Sequence, residues 1–152
     1  MYPATFDYYR PKNLKEALAL LRDKKDSKLL AGGHSLLPAM KLRVSTPSAL
    51  IDIGRLRDLD DIKVGKSVIK IGGLTTHAAV AESKEIRARC EILSEAAEMI
   101  GDIQVRNRGT IGGSLAHADP ASDYPTVMVA LEAEITVAGA RGKRRIAAEE
   151  FF

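Results

Sequence analysis

Two glycine pairs with neighbouring hydroxyl side chains are the residues of this sequence whose spacing indicates chemistry. The first glycine segment (residues 31–35) comprises Ala31, Gly32, Gly33, His34 and Ser35. The second glycine segment (residues 110–114) comprises Thr110, Ile111, Gly112, Gly113 and Ser114. Adjacent glycines let the backbone approach a ligand closely, and successive N–H groups that point inward bind an anion. Hydroxyls in both segments can also donate to phosphate oxygens.

Either segment alone is better explained by a tight turn between a strand and a helix. The two together favour a diphosphate held between two lobes, with the rest of a dinucleotide lying along the cleft. The donors would be mostly neutral backbone groups.

Other nucleotide motifs fit poorly. Asp52 follows Gly32 at about the spacing of the ribose-binding acid in a nicotinamide-binding unit. However, the residues that start at Gly32 do not match G-x-G-x-x-G, so we reject that interpretation. No G-x-x-x-x-G-K-[ST] sequence is present either.

The elements that must position the first glycine segment form a mixed α/β lobe, assigned to residues 1–56. We expect a strand at 5–9, an amphipathic helix at 14–24 with a capping box at Asn13 and Glu16, and a compact buried strand at 28–31. A short helix at 36–43 and a strand at 49–53 complete the order β-α-β-loop-β.

The second lobe, assigned to residues 57–152, begins with a hairpin around Gly65 and Lys66. Thr75 or Thr76 is expected to cap a helix. Another helix should bury Ile92, Leu93, Ala96, Ala97 and Ile100 and stop at Gly101. The second glycine segment is expected to be a loop. A helix with Pro125 in its first turn and a strand at 134–138 follow.

Composition excludes several classes of function. The 152 residues are 45% hydrophobic and 28% charged, and a net charge of +3 with few aromatic residues gives little support for nucleic-acid binding. No apolar run approaches the ~20 residues of a membrane span, and no signal peptide is recognisable, so we expect a cytoplasmic protein. The single Cys90 excludes an all-cysteine iron–sulfur cluster, so any metal centre would lie on another chain.

The remaining titratable residues have structural interpretations. His34, His77 and His117 match no metal-ligand spacing, and we expect no metal site. Asp119 suits a turn or cap. Arg106 and Arg108 precede the second glycine segment and could face phosphate or solvent.

The sequence resembles the FAD-binding medium subunit of the molybdenum hydroxylases, of the carbon monoxide dehydrogenase and xanthine dehydrogenase type. The resemblance extends over essentially the whole chain. It is carried by the residues at 6–8, 31–38, 73–77, 104–114 and 119–123.

This resemblance implies a fold of two α/β lobes of the vanillyl-alcohol-oxidase type (PCMH), in the α+β class, with FAD between the lobes. Both glycine segments would hold the pyrophosphate, Asp123 would contact the cofactor and Ile100 would pack against its rings. No catalytic side chain is expected, because the flavin itself performs the redox chemistry. Substrate would be oxidised at a molybdenum cofactor on a large subunit. Electrons would then pass through [2Fe–2S] clusters on a small subunit to FAD and an external acceptor.

The resemblance also implies a further C-terminal domain that this sequence does not contain, and an enzyme that is inactive without its partner subunits. Two alternatives remain open at this stage. One is a self-contained flavin oxidoreductase with its own substrate. The other is a non-redox nucleotide-binding module that keeps the fold without the flavin.

Overall fold

The computed structural model describes all residues, 1–152, which divide into two compact units, Met1–Arg57 and Asp58–Phe152. Each unit is described by itself. None of the helices combines the length and the apolarity that crossing a membrane requires.

The first unit is built on a three-stranded parallel sheet. Its elements are β1 (Asp7–Tyr9), α1 (Leu14–Asp23), β2 (Ser27–Leu30), α2 (Leu36–Lys41) and β3 (Ala49–Asp52). The strand order is β1-β3-β2, and both pairings with β3 are parallel. This arrangement confirms the order of elements expected from the sequence, with α2 inside the connection from β2 to β3.

Helix α1 begins where the sequence predicts. The side chain of Asn13 accepts from the N–H of Glu16 at 2.9 Å, and the Glu16 carboxylate accepts from the N–H of Lys12 at 2.7 Å. The first bond satisfies an N–H group that the first helical turn leaves without an intrahelical partner, and the second holds the residue before the N-cap against the helix start. The helix ends at Asp23, one residue before the expected end.

The central strand of this sheet is β3, in which Ala49, Leu50 and Ile51 are buried. The expectation of a buried strand at 28–31 is wrong, because β2 lies at the edge of the sheet with a neighbour on one side only. Lys28 and Leu29 are therefore exposed.

The second unit contains two antiparallel hairpins and seven helices. Its elements are β4 (Ile62–Val64), β5 (Ile69–Ile71), α3 (His77–Glu82), α4 (Lys84–Arg89), α5 (Glu91–Met99), α6 (Ile103–Arg106), α7 (Ile111–His117), α8 (Asp123–Ala130), β6 (Glu134–Gly139), β7 (Gly142–Ala147) and α9 (Ala148–Phe151). The hairpin at Gly65 and the cap at Thr76 are confirmed. Strand β7 and helices α4, α6 and α9 were not predicted.

One hydrophobic core holds the helices of the second unit together. Its buried members are Val80, Ala81, Ile86, Leu93, Ala97, Ile111, Leu115, Tyr124, Met128 and Ala148. Ile92 was expected on the buried face of α5, but it is 47% exposed, because α5 turns Leu93, Ala96 and Ala97 inward instead.

The second glycine segment is not a loop, contrary to the sequence-based expectation. Residues from Ile111 onward form α7, and Thr110 is its N-cap. The Thr110 hydroxyl accepts from the N–H of Gly113 at 3.1 Å, which starts a helix despite the low helix propensity of two glycines.

Candidate functional site

The first glycine segment has a row of backbone donors with no acceptor in the protein. It directly follows β2, at the carboxyl edge of the parallel sheet, where open α/β sheets bind their ligands. The N–H groups of residues 32–36 donate to no group of the chain. Five consecutive donors without a partner in the chain, the last of them at the start of α2, are available to an external acceptor.

The backbone geometry of this segment suits an anion. Gly33 has φ of +83°, in the left-handed region that residues with a side chain rarely adopt. A left-handed glycine can turn neighbouring N–H groups toward one anion. Ser35, which is right-handed, and His34 are exposed, so both side chains are open to solvent.

The second glycine segment has no comparable free donors. The N–H of Ile111 donates to the carbonyl of Thr75 at 3.0 Å, and that of Gly112 to the carbonyl of Gly73 at 2.9 Å. The N–H of Gly113 is held by the Thr110 hydroxyl, and that of Ser114 donates to the Thr110 carbonyl at 3.0 Å. The two segments therefore look alike in sequence but differ in the donors that they offer.

Gly112 is required by packing alone. A Cβ at this position would lie 2.5 Å from the carbonyl oxygen and 2.7 Å from the Cα of Gly73. Both are backbone atoms, so no side-chain rearrangement could relieve the contact. This role could not be predicted from the sequence, because Gly73 is distant from Gly112 along the chain.

Ser114 and Asp123 are brought near each other. The Ser114 hydroxyl shares a 3.0 Å hydrogen bond with the hydroxyl of Ser122, the N-cap of α8, and Asp123 is the first residue of that helix. Asp123 is exposed and forms no ion pair.

Asp123 lines a cleft of about 470 Å³ between α5 and α8. The cleft is lined by Ile92, Glu95, Ala96, Met99, Pro120, Ala121, Ser122, Asp123, Thr126 and Val127. Two carboxylates and no cation line it, so it repels phosphate and suits a neutral ligand group that carries hydrogen-bond donors.

Ile100 is half-buried at the end of α5 and packs against the core of the second unit. Its carbonyl accepts from the Arg106 guanidinium at 3.1 Å, and the carbonyl of Gly101 accepts from the same group at 2.9 Å. Arg106, which the sequence left unassigned, therefore caps the carboxyl end of α5.

The structure provides no group of three His, Cys, Asp or Glu side chains that could hold a metal ion. His77 is the first residue of α3 and is buried. Asp119 accepts from the N–H of Ala121 at 2.9 Å, which is a turn role, whereas the cap of the following helix is Ser122 and not Asp119.

Comparison with known proteins gives one family match. Residues 4–152 match the model described as "FAD binding domain in molybdopterin dehydrogenase". The chain is 47% identical over its whole length to the carbon monoxide dehydrogenase medium chain of Hydrogenophaga pseudoflava, and covers 53% of that protein. It is 42% identical to the glyceraldehyde dehydrogenase medium chain of Sulfolobus acidocaldarius and covers 54% of it.

Solved structures agree with these matches. The fold superposes on carbon monoxide dehydrogenase of Hydrogenophaga pseudoflava with a TM-score of 0.96 and 47% identity, covering 98% of this chain and 52% of that one. Quinoline 2-oxidoreductase of Pseudomonas putida 86 gives a TM-score of 0.95 at 32% identity, with 100% and 55% coverage. The chain thus spans about half the length of the relatives it matches.

Proposed function

Because the chain belongs to the family of FAD-binding domains of molybdopterin dehydrogenases, we propose that it is the FAD-binding part of a molybdenum hydroxylase medium subunit. FAD is its cofactor. In this proposal, electrons originate at a molybdenum cofactor on a large subunit and pass through [2Fe–2S] clusters on a small subunit. They then reach FAD, which transfers them to an external acceptor. The fold is of the vanillyl-alcohol-oxidase type (PCMH).

The observation that carries the proposal for this chain is the row of free N–H groups at residues 32–36. A pyrophosphate presents several anionic oxygens within a few ångströms, and consecutive backbone donors match such a group without adding a positive charge. We assign the pyrophosphate to Ala31, Gly32, Gly33, His34 and Ser35.

The second glycine segment has a different part in the proposal. Since the N–H groups of residues 111–114 already have acceptors, its contribution comes from the exposed backbone surface at Gly113 and from hydroxyls. The Ser114 hydroxyl can donate to a phosphate oxygen while it accepts from Ser122. Ile111 anchors this segment in the core, and we assign it no direct contact with the cofactor.

Asp123 and Ile100 are proposed to contact uncharged parts of the cofactor. The Asp123 carboxylate can accept from a hydroxyl or an N–H, which agrees with the absence of cations in its cleft. Ile100 supplies an apolar surface for a ring.

Bound FAD would supply the redox chemistry, and the chain's residues bind and orient it. No side chain near the first glycine segment is placed as a general acid or base. The chain is therefore proposed to act only with its partner subunits, which disfavours a self-contained flavin oxidoreductase.

Titration with FAD, followed by the change in flavin absorbance and fluorescence, tests the proposal. We expect the wild-type chain to bind FAD and Gly33→Ala to bind it at least tenfold more weakly, because a Cβ disfavours φ of +83°. Gly139→Ala is the control, since a Cβ there meets no atom within 4 Å. Equal affinity of Gly33→Ala and the wild type would remove the first glycine segment from the site.

A chain that binds no FAD would favour the non-redox alternative. Co-purification with iron–sulfur and molybdenum-cofactor chains would separate the proposed subunit from a self-contained flavin oxidoreductase. The latter would reduce its flavin with a substrate in the absence of any partner.

A further inference from the structure

The carboxylate of Asp52 joins the ends of two strands in the first unit. Asp52 is the last residue of β3, and its Oδ2 accepts from the Tyr8 hydroxyl of β1. The Arg10 guanidinium lies 3.7 Å from the same oxygen and donates to the Tyr8 hydroxyl at 3.0 Å. The other oxygen, Oδ1, accepts from the N–H of Gly54 at 2.9 Å. Only 17% of this side chain is exposed.

The turn that Asp52 closes supports the start of the first glycine segment. Asp52 lies opposite Leu30, the residue before Ala31, and the N–H of Ile53 donates to the Leu30 carbonyl at 2.9 Å. A Cβ built on Gly54 would be 3.6 Å from the carbonyl oxygen of Ala31. The turn at 52–54 therefore lies against the backbone that leads into the free N–H groups.

We propose that Asp52 is a positioning residue that holds the first glycine segment in the conformation that binds a diphosphate. It fixes the 52–54 turn through Oδ1 and ties that turn to the end of β1 through Oδ2. This inference rests on the proposed function, because its consequence is measured as FAD affinity.

The test compares FAD affinity with apoprotein stability in four variants. Asp52→Asn removes the charge and should weaken FAD binding about tenfold at temperatures where the apoprotein is folded, since hydrogen bonds to charged groups are the strong ones. Tyr8→Phe keeps the hydrogen bond from the N–H of Gly54 to Asp52, and it should weaken FAD binding less than Asp52→Asn does. The double variant should bind no more weakly than Asp52→Asn alone, because both act through one network.

The fourth variant, Asp23→Asn, is the matched control. Asp23 also pairs with an arginine of the first unit, Arg22 at 2.7 Å, but lies at the end of α1 before β2 begins. The FAD affinity of the Asp23→Asn variant should equal that of the wild type. If Asp52→Asn lowers the melting temperature and leaves FAD affinity unchanged, Asp52 is merely structural and the inference fails. If the wild type binds no FAD, the proposed function fails instead.

Discussion

At the scale of single residues, Tyr124 is the group whose chemistry is most altered by its surroundings. Its side chain is fully buried in the core of the second unit, and its ring centroid lies 5.4 Å from that of His77. Its hydroxyl has no hydrogen-bond partner within the chain. Burial raises the pKa of Tyr124, because the phenolate would lose its hydration.

This pKa shift predicts an alkaline loss of stability. Below pH about 10, the hydroxyl is neutral in folded and unfolded chains alike, and its contribution to stability is complete. Above that pH the unfolded chain ionises first, so the free energy of unfolding falls as pH rises. We expect Tyr124→Phe to remove this component, and to raise stability by about 1 kcal/mol at neutral pH, because it removes a hydroxyl without a partner.

Chemical denaturation between pH 8 and pH about 11 measures both effects. Tyr2→Phe serves as the control, because Tyr2 is 86% exposed. A Tyr124→Phe chain that loses stability above pH 10 as steeply as the wild type would show that the buried hydroxyl does not cause the alkaline loss.

At the scale of elements, the contact between Gly112 and Gly73 sets how closely α7 approaches the loop before α3. The carbonyls of Gly73 and Thr75 accept from α7, and the N–H of His77 donates to the carbonyl of Gly109 at 3.0 Å. We expect Gly112→Ala to lower the free energy of unfolding by about 1–3 kcal/mol, because overpacking moves backbone atoms apart.

Thermal unfolding of the apoprotein checks this prediction against Gly139→Ala, which should change stability by less than about 0.5 kcal/mol. Apoprotein stability equal to the wild type in Gly112→Ala would show that the close approach is not required. Loss of FAD binding in a variant of Gly112 would not by itself identify a phosphate contact. A Cβ at Gly113 would likewise disturb the fold, because it would lie 2.8 Å from the capping hydroxyl of Thr110.

The elements that the sequence predicted well are those fixed by local signals. The cap at Asn13, the hairpin at Gly65 and the stop at Gly101 each depend on neighbouring residues, and all are present. The errors arise where distant residues decide. Strand order, for example, places β2 at an edge. The start of α7 is the exception, because its signal, the cap at Thr110, is local and was outweighed by the two glycines.

The same distinction applies to the candidate site. The sequence showed two similar glycine pairs, but the N–H groups of Ile111 and Gly112 are occupied by acceptors far away in the chain, at Thr75 and Gly73. The contacts of Asp52 could not be predicted either, because Tyr8 lies in another strand, β1, and Arg10 directly follows that strand.

At the scale of the whole molecule, the proposed cofactor-binding residues belong to both units. Residues 31–35 lie in the first unit, whereas Ile100, residues 110–114 and Asp123 lie in the second. Hydrogen exchange of backbone amides, with and without FAD, measures the response of each unit in one experiment. The free N–H groups of residues 32–36 should exchange fast in the apoprotein and slow strongly when FAD binds.

Residues 111–114 should behave differently, because their N–H groups are already bonded before FAD arrives. We expect slow exchange in the apoprotein and a further, smaller decrease with FAD through ligand stabilisation of the folded state. The exposed turn at 139–142 should not change. Protection confined to the first unit would remove Thr110, Ser114 and Asp123 from the site. Unchanged exchange at residues 32–36 in the FAD-bound protein would contradict the assignment of the pyrophosphate to the first glycine segment.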